Sequence, residues 1–221
     1  MQIDACIFDL DGVIVDTARY HFLAWKRLAD QLGIHFTEAD NERLKGVSRM
    51  ASLEIILDIG QRKLDENRKL ELATMKNNWY VGYISKMTPD EILPGCLAFI
   101  KELKNANIRV AVGSASKNTP MILERVGILN LFDAVADGNN VERAKPDPEV
   151  FLKAAEMVGT EPRNCVVFED AVAGVRAALN AGMMCVGVGS PGILTEAHSV
   201  VKGLNEMNLA KLLILENNIR L

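Results

Sequence analysis

The chain has 221 residues, 49% of them hydrophobic, and a formal net charge of −4 from 25 basic and 29 acidic side chains. That length suits one large domain or two modest ones whose core needs no covalent staples. Interspersed acids and bases with a slightly negative balance argue against nucleic acid as the main partner, and no uninterrupted run of about 18 apolar residues offers a membrane span. The four cysteines, Cys6, Cys96, Cys165 and Cys185, show neither a C-x-x-C spacing nor clustering with histidine. Cys6, Cys165 and Cys185 fall in strand-like apolar runs, as small buried hydrophobes of a reducing compartment do. The start of the chain shows no basic region followed by an apolar stretch, so a cytoplasmic location is expected.

In chain order, the run Ala5-Cys6-Ile7-Phe8 reads as a strand buried on both faces of a parallel sheet, and it ends at Asp9. Asp11 stands two positions on, so in an extended segment both carboxylates face one site, and Gly12 lets the backbone turn away behind them. Two like charges this close repel unless a cation or a proton intervenes, which points to a divalent metal. The plainer reading is a solvated turn after a strand.

Helical spacing follows. Trp25, Leu28, Ala29 and Leu32 keep one face, with Gly33 as the stop, and Thr37 to Asp40 reads as a capping box for a helix reaching about Leu44. A third helix is expected over 50–58 and a fourth over 66–86, the latter with Leu72, Met75, Trp79 and Tyr83 down one side. No strand signal occurs between Asp16 and Pro89, so the first strand is followed by an all-helical insertion. From Leu93 the pattern alternates: helices over 96–105, about 120–126, 149–158, 172–181 and 209–215, and strands over 108–112, 134–136, 165–168 and 185–188. The expected fold is therefore α/β, a doubly wound parallel sheet with an inserted α-helical cap domain. Its core would take residues 1–15 and 93–221 and its cap residues 16–92, the cap hinged as a lid.

Three further strand ends of such a sheet carry chemistry: Ser114, Lys145 and Glu169-Asp170. Acids, a hydroxyl and an ammonium gathered on one sheet edge are the set that phosphoryl transfer needs. No G-x-G-x-x-G or G-x-x-x-x-G-K-[ST] sequence is present, so neither a dinucleotide nor a nucleoside triphosphate is the default ligand.

Phe8-Asp9-Leu10-Asp11-Gly12-Val13, Ser114, Lys145-Pro146 and Glu169-Asp170 resemble, in order, the four signature motifs of the haloacid dehalogenase superfamily, and the helical insertion resembles its small α-helical cap. This implies a Rossmann-like core, Asp9 as the nucleophile that becomes an aspartyl phosphate, and Asp11 as general acid and base. It also implies Ser114 and Lys145 on the transferring phosphoryl group. Mg²⁺ would be held by Asp9, Glu169, Asp170 and the backbone carbonyl of Asp11, all hard oxygen donors. Within that superfamily, Thr17, His21-Phe22, Ala24-Trp25, Leu44-Lys45-Gly46-Val47-Ser48-Arg49 and Ser114-Ala115-Ser116-Lys117-Asn118 are similar to members that interconvert β-glucose 1-phosphate and glucose 6-phosphate through a bisphosphate. The resemblance implies that Arg49, Ser116, Lys117 and Asn118 hold a second phosphate, with Ala115 in the same loop. His21, Lys45 and Lys76 would line the cap side, with Thr17, Gly46, Val47, Ser48 and Ser52 among the substrate-binding positions.

Independently of any family, a mutase must hold a bisphosphate in two orientations and so needs an anion site away from the metal, for which Arg49 has the suitable chemistry. Plainer readings stand beside these: Lys76 as a solvated surface charge, His21 as a core-edge histidine, and Trp25 and Trp79 as core before sugar platforms, although Trp25 is retained as a substrate-side candidate. Gly113, where the motif leads one to expect alanine, and Ala144, where a hydroxyl residue is common, are the departures. The rival functions are a Mg²⁺-dependent phosphatase for a small sugar phosphate, a phospho-acceptor signalling domain and an inactive binding protein. The expected partner is a small sugar phosphate, with no nucleic acid, no membrane and a monomeric state.

Overall fold

A computed structural model describes residues 3–219, so the first two and last two positions of the expected core segment lie outside the described residues. In chain order the principal elements are β1 (Ala5–Phe8), α1 (Ala18–Gln31), α2 (Glu38–Glu42), α3 (Arg49–Ile59), α4 (Glu66–Ile84) and α5 (Cys96–Asn105). There follow β2 (Arg109–Gly113), α6 (Thr119–Arg125), β3 (Ala134–Ala136), α7 (Glu149–Met157), β4 (Cys165–Glu169), α8 (Val172–Asn180), β5 (Met184–Val188), β6 (Ser199–Val201) and α9 (Leu209–Ile219).

The six strands form one sheet in the order β3-β2-β1-β4-β5-β6, every neighbouring pair parallel. β1 lies inside the sheet and is covered on both faces, which is why its four residues are all apolar. Cys6 and Phe8 join one apolar cluster, and Ala5 and Ile7 join the cluster on the opposite face. Phe8 stacks on Phe168 of β4 at 4.8 Å between ring centroids and meets Phe99 of α5 edge-on at 6.1 Å. The chain winds outward from β1 through β2 to β3, then returns to β4 on the other side of β1. The gap between β1 and β4 is therefore the switch point where open sheets of this kind take their ligands.

Strand β6 was not foreseen. Three residues at the sheet edge, two of them half-exposed, are too short a run to show a period. Helix α2 ends at Glu42 rather than near Leu44, although its capping box is present as expected, with Thr37 and Asp40 each satisfying the other's backbone.

Helices α1, α3 and α4 share an apolar cluster of their own, with Trp25, Leu28, Leu53, Ile56 and Leu72 among its buried members. Helix α4 corrects the expected stripe. Its fully buried face is Leu72, Ala73, Lys76, Tyr80 and Ile84, whereas Met75, Trp79 and Tyr83 are half-buried at its flank. The reason is that its two ends pack differently: Leu72 and Ala73 belong to the helical cluster, while Tyr80 and Ile84 reach the cluster under the sheet. The two connections to the helical segment run side by side, with Val15 bridged antiparallel to Ile92 and Leu93 N–H donating to Ile14 O at 2.9 Å. Among the described residues no helix is long and apolar enough to cross a membrane.

Candidate active site

The loops after β1, β2, β3 and β4 meet at the carboxyl edge of the sheet, under α1, α3 and α4, around a cavity of about 620 Å³. Asp9 follows β1 directly, its N–H donating to Phe168 O of β4 at 2.9 Å, so sheet register itself sets its position beside Glu169. Lys145 Nζ donates to Asp9 Oδ1 at 2.5 Å and to Glu169 Oε1 at 3.2 Å, and all three side chains are buried. Although burial opposes its charge, the Asp9 and Glu169 carboxylates hold the Lys145 ammonium above the ordinary lysine range. The ring of Phe151 lies 4.7 Å beneath that ammonium.

Oxygen atoms of Asp9, Glu169 and Asp170 lie within 4.8 Å of one another. Burial, and then the negative charge of Asp9, pushes the Asp170 carboxyl up to about 7, and burial likewise raises Glu169 well above the carboxylate range. Three acids crowded in a dry pocket, with no histidine or cysteine among them, fit a hard divalent cation that takes oxygen ligands. Gly12 makes room for this group: it sits at φ +80°, and a β-carbon there would fall 2.3 Å from Asp170 Oδ2. Gly174 does the same on α8, where a β-carbon would collide with the Glu169 carboxylate.

The Asp11 side chain lies outside that trio but lines the same cavity, as the two-residue spacing implies. The Thr17 hydroxyl donates to Asp11 Oδ1. Burial, followed by the charges of Asp9 and Asp170, pushes the Asp11 carboxyl up to about 8. Ser114 is fully buried at the end of β2, and its Oγ accepts from Ser116 N–H at 3.2 Å. Ser116 Oγ in turn accepts from Asn118 N–H at 3.2 Å, so hydroxyl-to-backbone bonds fold the loop 114–118. Gly113 just before it also has a reason in this chain: a β-carbon would lie 2.7 Å from the Phe151 ring that supports Lys145.

The opposite wall comes from the helices. Lys76 is 2% exposed, which overturns its reading as a solvated charge. Its Nζ lies 4.3 Å from the Trp25 ring centroid and 4.7 Å from that of Tyr80, and donates to His21 Nδ1 at 3.1 Å. Burial, then the like charge of Arg49, lowers the Lys76 ammonium to about 7. Burial, then Lys76 and Arg49, also holds His21 well below its usual value, so the imidazole is neutral and can accept. Trp25 is both core, at 2% exposure, and part of the cavity lining. Lys45, Gly46, Val47, Ser48, Arg49 and Ser52 all line the cavity, as do Ala115, Ser116, Lys117 and Asn118 from the other side. Ser48 caps α3, accepting from Ala51 N–H at 3.2 Å, which places Arg49 at the first turn of that helix. Lys45 reaches across to Asp170 at 3.7 Å. Thr17 is fully buried and meets the site through Asp11.

Polar lining residues that the sequence did not mark include Tyr80 and Asn77, both on α4. Beside the cavity, Asn139 of the loop after β3 donates from Nδ2 to Lys117 O at 3.0 Å. Tyr80 could have been found as the position four beyond Lys76 on the same helical face; Asn77 and Asn139 left no signal of this kind.

Such a cleft, with acids on the switch point of a parallel sheet facing cations on a helical wall, defines a phosphoryl-transfer class of protein. The chain matches the haloacid dehalogenase-like hydrolase family over residues 3–182 and belongs to it. It is 46% identical over 207 residues to the beta-phosphoglucomutase of Bacillus subtilis, covering 93% of this chain and 92% of that protein. The crystal structure of beta-phosphoglucomutase from Clostridium difficile superposes with a TM-score of 0.95 at 42% identity, covering 99% of each chain. The fructose-1-phosphate phosphatase YqaB of Escherichia coli is 32% identical over 184 residues, covering 82% of this chain and 94% of that one.

Proposed function

We infer that this chain interconverts β-D-glucose 1-phosphate and D-glucose 6-phosphate, by way of an aspartyl-phosphate enzyme and β-glucose 1,6-bisphosphate. The observation that carries this reading is a second set of groups with the chemistry to bind a phosphate, Arg49 with Ser116, Lys117 and Asn118, lining the same cavity as Asp9 and Asp170. A phosphatase of small esters has no use for two such sites, whereas a mutase must hold one phosphate while it transfers the other. The close similarity to beta-phosphoglucomutases over nearly the whole chain supports the same reading.

The roles of individual residues are our proposal. Asp9, as its aspartyl phosphate, gives its phosphoryl group to a hydroxyl of the bound sugar phosphate, and Asp11 takes the proton from that hydroxyl. The bisphosphate then presents its other phosphate, Asp9 attacks phosphorus, and Asp11 returns a proton to the departing sugar oxygen. A carboxyl raised by burial suits that exchange, and the Thr17 hydroxyl orients it through Oδ1. Lys145 and Ser114 hold the oxygens of the transferring group, and Arg49 with the loop 116–118 holds the idle phosphate. Asp9, Glu169 and Asp170, with the backbone carbonyl of Asp11, would hold Mg²⁺, which supplies charge to balance the equatorial phosphoryl oxygens. The helical segment over the cavity would exclude water, so that a sugar hydroxyl accepts the phosphoryl group instead. We propose its division from the core at residues 15/16 and 92/93, a reading supported by the separate apolar cluster of α1, α3 and α4.

The test is an assay supplied with β-glucose 1-phosphate, Mg²⁺ and a trace of β-glucose 1,6-bisphosphate, following glucose 6-phosphate and inorganic phosphate together. Rapid glucose 6-phosphate with little free phosphate is expected. Phosphate release without isomerisation would overturn the mutase reading and the role of Arg49.

A further inference from the structure

Away from the linkers, and among the described residues, two polar side-chain pairs reach from the helical segment to the strand-end loops. One is Lys45 with Asp170 at 3.7 Å, beside the acid trio. The other lies in the part of the cavity lined by the 116–118 loop: Asn77 Oδ1 on α4 accepts from Asn118 Nδ2 at 3.2 Å, across 41 positions of sequence. Asn118 is otherwise held through its backbone, its N–H donating to Ser116 Oγ at 3.2 Å. A carboxamide carries two N–H donors in one plane and an oxygen opposite them. Its terminal torsion is broad, so nothing in the side chain itself decides whether donors or oxygen face a given direction. With one N–H committed to Asn77, the plane is set and the second N–H is left to donate to an anion; turned over, the group would present its oxygen and repel phosphate.

We propose that Asn77 is a positioning residue, which orients the Asn118 carboxamide toward the second phosphate of the substrate. The inference rests on the mutase reading above. Because Asn77 stands on the helical segment and Asn118 on a loop of the sheet, the orientation exists only while the two are together. Binding of the second phosphate and apposition of the helical segment therefore favour each other. Asn77 is half-buried on a helix, and alanine is the better helix former, so removal of its amide leaves the fold standing.

The experiment is a double-mutant cycle in the full chain, with Asn77→Ala, Asn118→Ala and both together. It is read as KM for β-glucose 1-phosphate and, independently of turnover, as affinity for glucose 6-phosphate by titration calorimetry. Loss of the acceptor that orients the Asn118 donor should raise KM about three- to tenfold in Asn77→Ala, with kcat changed less than about twofold. Asn118→Ala should raise KM at least as much, and the double variant should match Asn118→Ala, because Asn77 acts through that residue. Additive effects, or an unchanged KM in Asn77→Ala beside a raised one in Asn118→Ala, would overturn the role of Asn77 alone. An unchanged KM and affinity in Asn118→Ala would overturn the second-phosphate site itself, and with it both readings.

Discussion

The two walls of the cleft carry buried charge in opposite ways. On the sheet side, Asp9, Glu169 and Asp170 crowd around one ammonium, Lys145, and burial with mutual repulsion raises the Glu169 and Asp170 carboxyls. On the helical side, Lys76, Arg49 and His21 crowd together, and burial lowers all three. Neither wall is self-sufficient. Charges held in a dry site without enough opposite charge cost stability, and a ligand of the opposite sign recovers that cost. The acid wall is therefore shaped for a cation and the basic wall for an anion. A phosphate ester between them, with a divalent cation held by the acids, would satisfy both.

The comparison breaks first at Asp9. Asp9→Asn keeps the shape but removes the proposed nucleophile and one proposed anionic metal ligand, and glucose 6-phosphate formation should fall by about four orders of magnitude. Normal turnover would refute the mechanism. On the opposite wall, Arg49→Ala should lower isomerisation about 100-fold by removing the proposed charge-assisted contact to the second phosphate. Phosphate release from a small ester, which needs only the acid wall, should fall far less, and an equal fall in both would merge the two walls into one function.

Lys76→Met sharpens the contrast through stability. The Lys76 ammonium is lowered from 10.5 to about 7 in the folded chain. Between those values the unfolded chain binds more protons, so the native protein gains stability as pH rises through that window. Below it, the buried charge is a full penalty. In the absence of substrate, Lys76→Met should therefore raise the midpoint of thermal unfolding by a few degrees at pH 6, an advantage on the order of 1–3 kcal/mol that shrinks toward pH 10. The same variant should weaken binding of glucose 6-phosphate. A stabilisation that did not depend on pH would mean that Lys76 binds its proton equally in the folded and unfolded chains, with no lowering by burial. The smallest effect belongs to a residue in neither wall: Thr37→Ala removes the α2 capping box and should cost about 1 kcal/mol in denaturant unfolding, with KM unchanged.

Much of this was legible without coordinates, and for identifiable reasons. Asp9, Ser114 and Glu169 are legible because each follows an apolar run, and Lys145 because it lies in the loop after another; the strand ends of a parallel sheet converge wherever the strands themselves lie. Arg49 stood out because Lys-Gly-Val-Ser-Arg is a poor core segment, and the structure places it at the start of α3 on the cavity. Lys76 was ambiguous for an equally physical reason: a lysine within a helix carries no mark of what covers it. Its burial comes from the rings of Trp25 and Tyr80, one of them on a different helix.

The order and hydropathy of residues along the chain determined the fold class, the all-helical insertion, and the four strand ends that carry the acids, the hydroxyl and the ammonium, because local periodicity and turn residues are properties of neighbours. Only the tertiary structure decided which face of α4 is buried, that β6 joins the sheet edge, and that Asn77 meets Asn118 and Asn139 meets Lys117. Those depend on contacts between segments far apart in sequence, and a polar side chain shows its partner only when folding has brought the two within a hydrogen bond of each other.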